Sequence, residues 1–247
     1  MPTTEELDAL LAQAMAAHQA GRFAEAQSAY QTVLSHVPNH PPTLHFLGLS
    51  YFQQGNANHG IELMRGALGL QPDYVDAHYN LATALQALGR TDEAMDHYRQ
   101  TLALDPANIG ARNNLGAILL HQKAFSEAID HFESVLATDP GFAEAHSNIA
   151  VALNELERYE EAAQRCQTAL QINARNAGAQ LNLGVALNGL GRYTEALDAY
   201  QQGLAFGADE ATVQLQIGNT LTKLGRAEEA SAAFDRASAL RRNRAGH

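Results

Sequence analysis

A stretch of 34 residues recurs along this chain, and that repetition constrains its fold more than any other feature. In residues 75–108, Leu81 and Leu85 fall at helical spacing and predict an amphipathic helix. Gly89 predicts the end of this helix, because glycine enters the left-handed conformation cheaply. A second helical pattern follows, and Pro106 predicts its end because proline disfavours α geometry in the preceding residue. One such helix pair cannot bury its apolar faces alone, so neighbouring pairs must stack on it.

The 34-residue frame extends both ways without insertion, so we expect a single array over residues 1–247 with no domain boundary. It divides the chain into seven repeats, 7–40, 41–74, 75–108, 109–142, 143–176, 177–210 and 211–244. The eighth position of each repeat is always small, which lets two helices approach closely: Ala14, Gly48, Ala82, Gly116, Ala150, Gly184 and Gly218. The twenty-fourth position is bulky in most repeats: Tyr30, Met64, Tyr98, Phe132, Tyr200 and Phe234.

This pattern of small residues, aromatic residues and terminal prolines resembles the tetratricopeptide repeat. The resemblance implies an all-α fold, a right-handed solenoid (superhelix) of seven helix-turn-helix repeats whose first helices line a concave groove. Lys123 and Glu157 depart from the pattern, since they occupy a turn position where glycine is usual. Left-handed backbone at these residues would cost about 1 kcal/mol or more each. Two apolar columns become polar at Ser231 and Ser238, so we expect the last helix to act as a cap.

Signatures of catalysis are missing from the sequence, so we expect no enzyme activity and no cofactor. The metalloprotease, nucleophile-elbow, P-loop and dinucleotide-binding motifs do not occur. The one cysteine, Cys166, falls in a core column and should pack as a small hydrophobe. The histidines recur by repetition of scaffold columns, as His78 and His146 do, so we expect no metal site.

Net charge and hydropathy limit the kinds of partner and location that we expect for this chain. A net charge of -11 makes duplex nucleic acid and anionic membranes poor partners. No apolar run is long enough to predict a membrane span, and the N-terminus does not resemble a signal peptide. A single cysteine fits a reducing compartment, so we expect a cytoplasmic protein. Separately, we expect a monomer or weak homodimer.

Asparagine occupies the sixth position of four successive repeats, as Asn80, Asn114, Asn148 and Asn182. Asparagine is a mediocre residue inside a helix, so four in register indicate a shared role. An amide has one acceptor and two donors, and can pair with the backbone of an extended peptide. The column resembles the asparagine ladder of O-GlcNAc transferase, which implies contact with a substrate backbone. A structural role in bridging adjacent helices also explains the column, and the two roles are compatible.

The function that we expect is a non-catalytic scaffold for protein–protein interaction, which binds an extended polypeptide segment in the concave groove. The chaperone-binding carboxylate clamp is rejected because the matching positions lack its lysines. The predicted peptide-binding residues are the four asparagines of the column and their neighbours Tyr79, Asn113, Phe46 and Phe52. Two alternatives remain. The chain could recruit substrate for a larger enzyme, such as a glycosyltransferase resembling O-GlcNAc transferase, or it could be a self-assembling scaffold.

Overall fold

The structure, a computed structural model, describes residues 3–245, and its described side chains end at residue 243. Over this range the chain forms fourteen α-helices and no strand. Their bounds are α1 Thr4–Gln19, α2 Phe23–His36, α3 Pro41–Gln53, α4 Ala57–Leu70, α5 Val75–Ala87, α6 Thr91–Leu104, α7 Ile109–His121, α8 Phe125–Thr138, α9 Ala143–Glu155, α10 Tyr159–Ile172, α11 Ala177–Gly189, α12 Tyr193–Ala205, α13 Glu210–Lys223 and α14 Ala227–Ala245. The predicted all-α architecture is confirmed.

The helices cluster into two compact units, an N-terminal unit of Met1–Ala111 and a C-terminal unit of Arg112–His247. The N-terminal unit contains α1 to α6 and the start of α7, and the C-terminal unit contains the rest of α7 and α8 to α14. Within each unit, consecutive helices pack side by side. The single array over residues 1–247, and the capping role of its last helix, stay predictions.

Close approach of paired helices explains the column of small residues. In the N-terminal unit, a Cβ atom added to Gly48 would lie 2.6 Å from the carbonyl oxygen of Gly60 on the next helix. Beside it, Ala14, Ala26 and Tyr30 are fully buried in one cluster. A backbone contact this short leaves no room for a side chain. The small residues therefore set the distance between the two helices of a pair.

The turn after each first helix uses the left-handed conformation. Five glycines adopt it there: Gly21, Gly55, Gly89, Gly191 and Gly225. Lys123 and Glu157 adopt it too, with φ of 63° and 58°. The conformation lets backbone N–H groups after the turn reach back to the helix, as Arg90 N does to Leu85 O at 2.9 Å. The expectation of left-handed backbone at the two non-glycine residues is confirmed.

Exposed ion pairs occur on the surface of the helices. Arginine–glutamate pairs three residues apart recur at the start of second helices, for example Arg158–Glu161 at 2.7 Å. Such exposed pairs contribute little to stability, about 0–1 kcal/mol each. Among the helices that the structure describes, none has the length and apolarity to cross a bilayer.

Candidate polypeptide-binding surface

The asparagine column lies on first helices, with each side chain half-buried. Asn80 is on α5 in the N-terminal unit. The other three members are on α7, α9 and α11 in the C-terminal unit, as Asn114, Asn148 and Asn182. Because none of the four residues is fully buried, part of each remains exposed, which is the first requirement for a binding residue.

Asn80 joins its helix to the preceding first helix through a buried histidine. Its Nδ2 atom donates to Nε2 of His45 at 2.8 Å, and Nδ1 of His45 is 3.2 Å from the hydroxyl of Tyr74. Burial, with a smaller contribution from the charge of His18, lowers the pKa of His45 to about 4. His45 is therefore neutral near pH 7. Because its Nε2 accepts, its Nδ1 carries the proton and donates to Tyr74.

Asn182 makes a weaker version of the same contact in the C-terminal unit. Its Nδ2 atom lies 3.4 Å from the carbonyl oxygen and 3.5 Å from the hydroxyl of Ser147. Ser147 and His45 share the fifth position of their repeats, so the two asparagines reach equivalent places. In contrast, the amide of Asn148 makes no hydrogen bond to any residue that the structure describes.

The predicted neighbours of the column differ in their exposure. Asn113 is only 7% exposed, and its Nδ2 atom lies 3.4 Å from Glu144 Oε1. The side-chain oxygen of Asn113 is buried without a hydrogen-bond partner. Tyr79 is half-buried and its ring centroid lies 6.1 Å from that of Tyr98. These contacts fix the side chains in place but leave little of Asn113 for a ligand.

Phe46 and Phe52 are half-buried on α3, and Phe46 borders an apolar cleft of about 490 Å³ in the N-terminal unit. The lining is Met15, His18, Gln19, Gly21, Phe23, Tyr30, Phe46, Leu49 and Gln53. Two lining atoms, the hydroxyl of Tyr30 and Nδ1 of His18, are buried without a hydrogen-bond partner. Burial raises the pKa of Tyr30 to about 12. This cleft could not be predicted from the sequence, because Tyr30 falls in a column of bulky residues that predicts an ordinary core position.

A second cleft, of about 550 Å³, lies in the C-terminal unit and is polar. It is lined by Asn154, Glu155, Glu157, Tyr159, Val185, Asn188, Gly189, Tyr193 and Lys223. Asn154 and Asn188 share the twelfth position of adjacent repeats, and neither belongs to the predicted site. A polar residue repeated at one helical position is the signal that could have identified them.

Groups for other chemistry are few. Among residues 3–245, no three His, Cys, Asp or Glu side chains are grouped to hold a metal ion. Cys166 is fully buried, and burial raises the pKa of its thiol to about 12. A protonated, inaccessible thiol is a poor nucleophile. The prediction that Cys166 packs as a small hydrophobe is confirmed.

Stacked helix pairs with a 34-residue period define an α-helical repeat protein. The chain belongs to the tetratricopeptide repeat family. Three models of that description match it, at residues 87–147, 119–167 and 153–215, at residues 11–72 and 45–109, and at residues 211–244. The resemblance seen in the sequence is thereby confirmed for the repeat itself. Among curated proteins, none matches the sequence significantly.

Solved structures of other repeat proteins are similar to this chain. A crystal structure of MamA is 27% identical, covers 66% of this chain and 96% of its own, and has a TM-score of 0.61. A tetratricopeptide repeat protein from Parabacteroides merdae is 16% identical, covers 95% and 93%, and has a TM-score of 0.72. YrrB, described as a protein with an unusual peptide-binding site, is 21% identical, covers 72% and 91%, and has a TM-score of 0.56. The last two likenesses show the fold alone.

Proposed function

We propose that the chain is a non-catalytic interaction scaffold that binds an extended polypeptide along its first helices, through the amides of Asn80, Asn114, Asn148 and Asn182. The observation that carries this proposal is the amide of Asn148, which is half-buried and makes no hydrogen bond to the described residues. Asparagine without a partner disfavours a helix relative to alanine. A ligand backbone would supply the missing partner.

The contacts of Asn80 and Asn182 support separate roles for the NH₂ group and the oxygen of each side-chain amide. Their NH₂ groups point to the preceding first helix, where they meet His45 and Ser147. Their side-chain oxygens accept no hydrogen bond from the part of the chain that the structure describes. The scaffold uses the donor, and the acceptor remains for an N–H group of the ligand. The structural and ligand-binding roles of the column are then both present in one side chain.

The mode of binding follows from this chemistry. Each amide-to-backbone bond adds about 0.5–1.5 kcal/mol net, so several in register give useful but modest affinity. Recognition of the backbone tolerates many ligand sequences. The asparagine ladder of O-GlcNAc transferase and the peptide-binding site in the description of YrrB are the analogies for this mode. We propose a protein or peptide ligand, a cytoplasmic location, and a monomer or weak homodimer; the net charge of -11 disfavours nucleic acid.

The proposal is tested with peptides selected from a random library on the wild-type chain. Binding is then compared in a quadruple variant with alanine at Asn80, Asn114, Asn148 and Asn182. A control variant, Asn39→Ala with Asn58→Ala, removes two exposed asparagines outside the column. Circular dichroism checks that each variant keeps its helices. We expect the quadruple variant alone to lose binding.

A second comparison distinguishes backbone recognition from side-chain recognition. A selected peptide is methylated on successive backbone nitrogens, and separately its side chains are changed to alanine. Backbone methylation should abolish binding at the positions that face the column, whereas most alanine changes should be tolerated. A folded quadruple variant that binds as well as wild type would overturn the proposal and make the column purely structural.

A further inference from the structure

The polar cleft of the C-terminal unit contains acceptors that lack donors. The side-chain oxygens of Asn154 and Asn188 are both buried without a hydrogen-bond partner. Asn154 is only 8% exposed, and its orientation is fixed because its Nδ2 atom donates to the carbonyl oxygen of Asn182 at 3.0 Å. A buried acceptor without a donor destabilises the fold. Two of them in one cleft therefore indicate a missing hydrogen-bond donor.

The charges in the cleft indicate what kind of donor is missing. Glu155 and Glu157 line the cleft, and neither forms an ion pair with a residue of the described chain. Glu161, four residues after Glu157, is by contrast paired with Arg158 at 2.7 Å. Lys223 is the one basic residue in the lining, so the cleft has an excess of negative charge. The missing donor is therefore expected to be a cation.

Aromatic rings complete the lining. Tyr159 and Tyr193 occupy the same position in adjacent repeats, and both line the cleft. A Cβ atom added to Gly189 would lie 2.5 Å from Cδ1 of Tyr159, so this ring packs directly against the backbone of α11. A guanidinium group stacks on tyrosine rings and carries five N–H donors in one plane, more than an ammonium group offers. The combination of rings, carboxylates and amide oxygens matches guanidinium best.

We propose that this cleft binds the side chain of an arginine in the polypeptide ligand. The inference rests on the proposed function and adds to it a preference for one residue type. The guanidinium donates to Asn154 and Asn188, which supply the neutral acceptors. Glu155 and Glu157 supply the opposing charge.

The first test uses N-acetyl-arginine amide and, as its uncharged analogue of nearly the same shape, N-acetyl-citrulline amide. Each is titrated into the full chain and followed by ¹⁵N NMR, which resolves the side-chain NH₂ signals of Asn154 and Asn188. We expect saturable shifts of these signals, with the arginine compound binding at least about fivefold more tightly. Equal affinity for the two compounds, or no shift of these signals, would overturn the inference.

Variants of the cleft refine the result. Asn188→Ala should weaken binding of both compounds, because the N–H groups of citrulline can also donate to the Asn188 oxygen. Glu157→Gln should weaken binding of the arginine compound several-fold and leave that of the citrulline compound unchanged. Lys223→Gln should strengthen binding of the arginine compound, because a competing cation is removed. Glu127→Gln, which changes an exposed glutamate outside the cleft, serves as the matched control and should have no effect.

A second test separates this inference from the proposed function. A library-selected peptide is prepared with arginine, with citrulline, and with lysine at each position in turn. If all versions bind alike and binding still needs the asparagine column, the column binds polypeptide and the arginine inference is wrong. If no peptide binds but the arginine compound shifts the NMR signals of Asn154 and Asn188, the cleft binds arginine and the proposed function is wrong. If neither binds, both are wrong.

Discussion

Asn80 donates its side-chain amide to Nε2 of His45 across 2.8 Å and so joins α5 to α3. The imidazole is fully buried, and its other nitrogen is 3.2 Å from the hydroxyl of Tyr74. Every polar atom of this histidine side chain therefore has a partner. The contact shows how an asparagine of the column supports the packing of successive repeats through its NH₂ group, while the side-chain oxygen of Asn80 makes no hydrogen bond to the described residues.

Removal of Asn80 and of Asn148 should have different consequences for stability. Asn80→Ala leaves a buried imidazole nitrogen without a donor, which should lower the free energy of unfolding by about 1–3 kcal/mol. Asn148→Ala breaks no hydrogen bond to the described residues and improves helix propensity, so its effect should stay within about 0.5 kcal/mol. Urea unfolding at pH 7 measures both. Equal losses in the two variants would indicate that Asn148 is structural as well.

Stability should fall as the pH falls below 6.5. Burial lowers the pKa of His45 from 6.5 to about 4, so the unfolded chain takes up a proton that the folded chain refuses. The contribution of His45 is complete above pH 6.5 and is lost progressively towards pH 4, with about 2 kcal/mol gone by pH 5. Burial lowers the pKa values of His97 and His146 as well, which acts in the same direction.

The variant His45→Gln isolates this effect, because a glutamine oxygen can still accept from Asn80 and does not titrate. Urea unfolding at pH 7 and pH 5 should show a smaller decrease for the variant than for wild type, by about 2 kcal/mol. The same decrease in both proteins would assign the acid sensitivity to other groups.

Two glycines in paired helices should respond in opposite ways to an added methyl group. Gly48→Ala places a Cβ atom 2.6 Å from the carbonyl oxygen of Gly60, a backbone atom that cannot move cheaply, so we expect a loss of about 1–3 kcal/mol. Gly66→Ala on α4 meets nothing within 4 Å and should stabilise by about 0.5–1 kcal/mol. Thermal unfolding of both variants gives the comparison. Stabilisation by Gly48→Ala would contradict the close approach of α3 and α4.

The fold was predictable from the sequence because its determinants recur every 34 residues. Gly48 and Gly89 show their structural roles through their columns, without any knowledge of distant contacts. The partner of Asn80 was not predictable, since His45 is 35 residues away and occupies a position where other repeats carry different residues. Contacts between repeats depend on how individual side chains pack, which periodicity does not encode.

The polar cleft was likewise only partly predictable from the sequence. Asn154 and Asn188 are visible in the sequence as polar residues on first helices, but their lack of donors is a property of the packed structure. Glu157 did give a sequence signal, because it replaces the glycine that five other repeats use in a left-handed turn. A residue that breaks a local rule is often retained for function.

The left-handed backbone at Glu157 and Lys123 should make both residues less favourable than glycine at these positions. Glu157→Gly and Lys123→Gly should each raise the free energy of unfolding by up to about 1 kcal/mol. Relief of left-handed strain is worth about 1–2 kcal/mol, and the greater freedom of glycine in the unfolded chain offsets part of it. Glu157→Ala keeps the strained backbone and should give no such gain, so urea unfolding of the three variants separates backbone strain from the loss of a carboxylate.

Binding should then distinguish the two glycine variants. Glu157 lines the polar cleft and Lys123 does not. Glu157→Gly should therefore bind N-acetyl-arginine amide less tightly although it is more stable, whereas Lys123→Gly should gain stability with unchanged binding. Higher stability together with weaker binding in Glu157→Gly would indicate that the carboxylate is retained at a strained position because it binds the ligand. Unchanged binding in both variants would remove Glu157 from the cleft's function and leave its strain without a role.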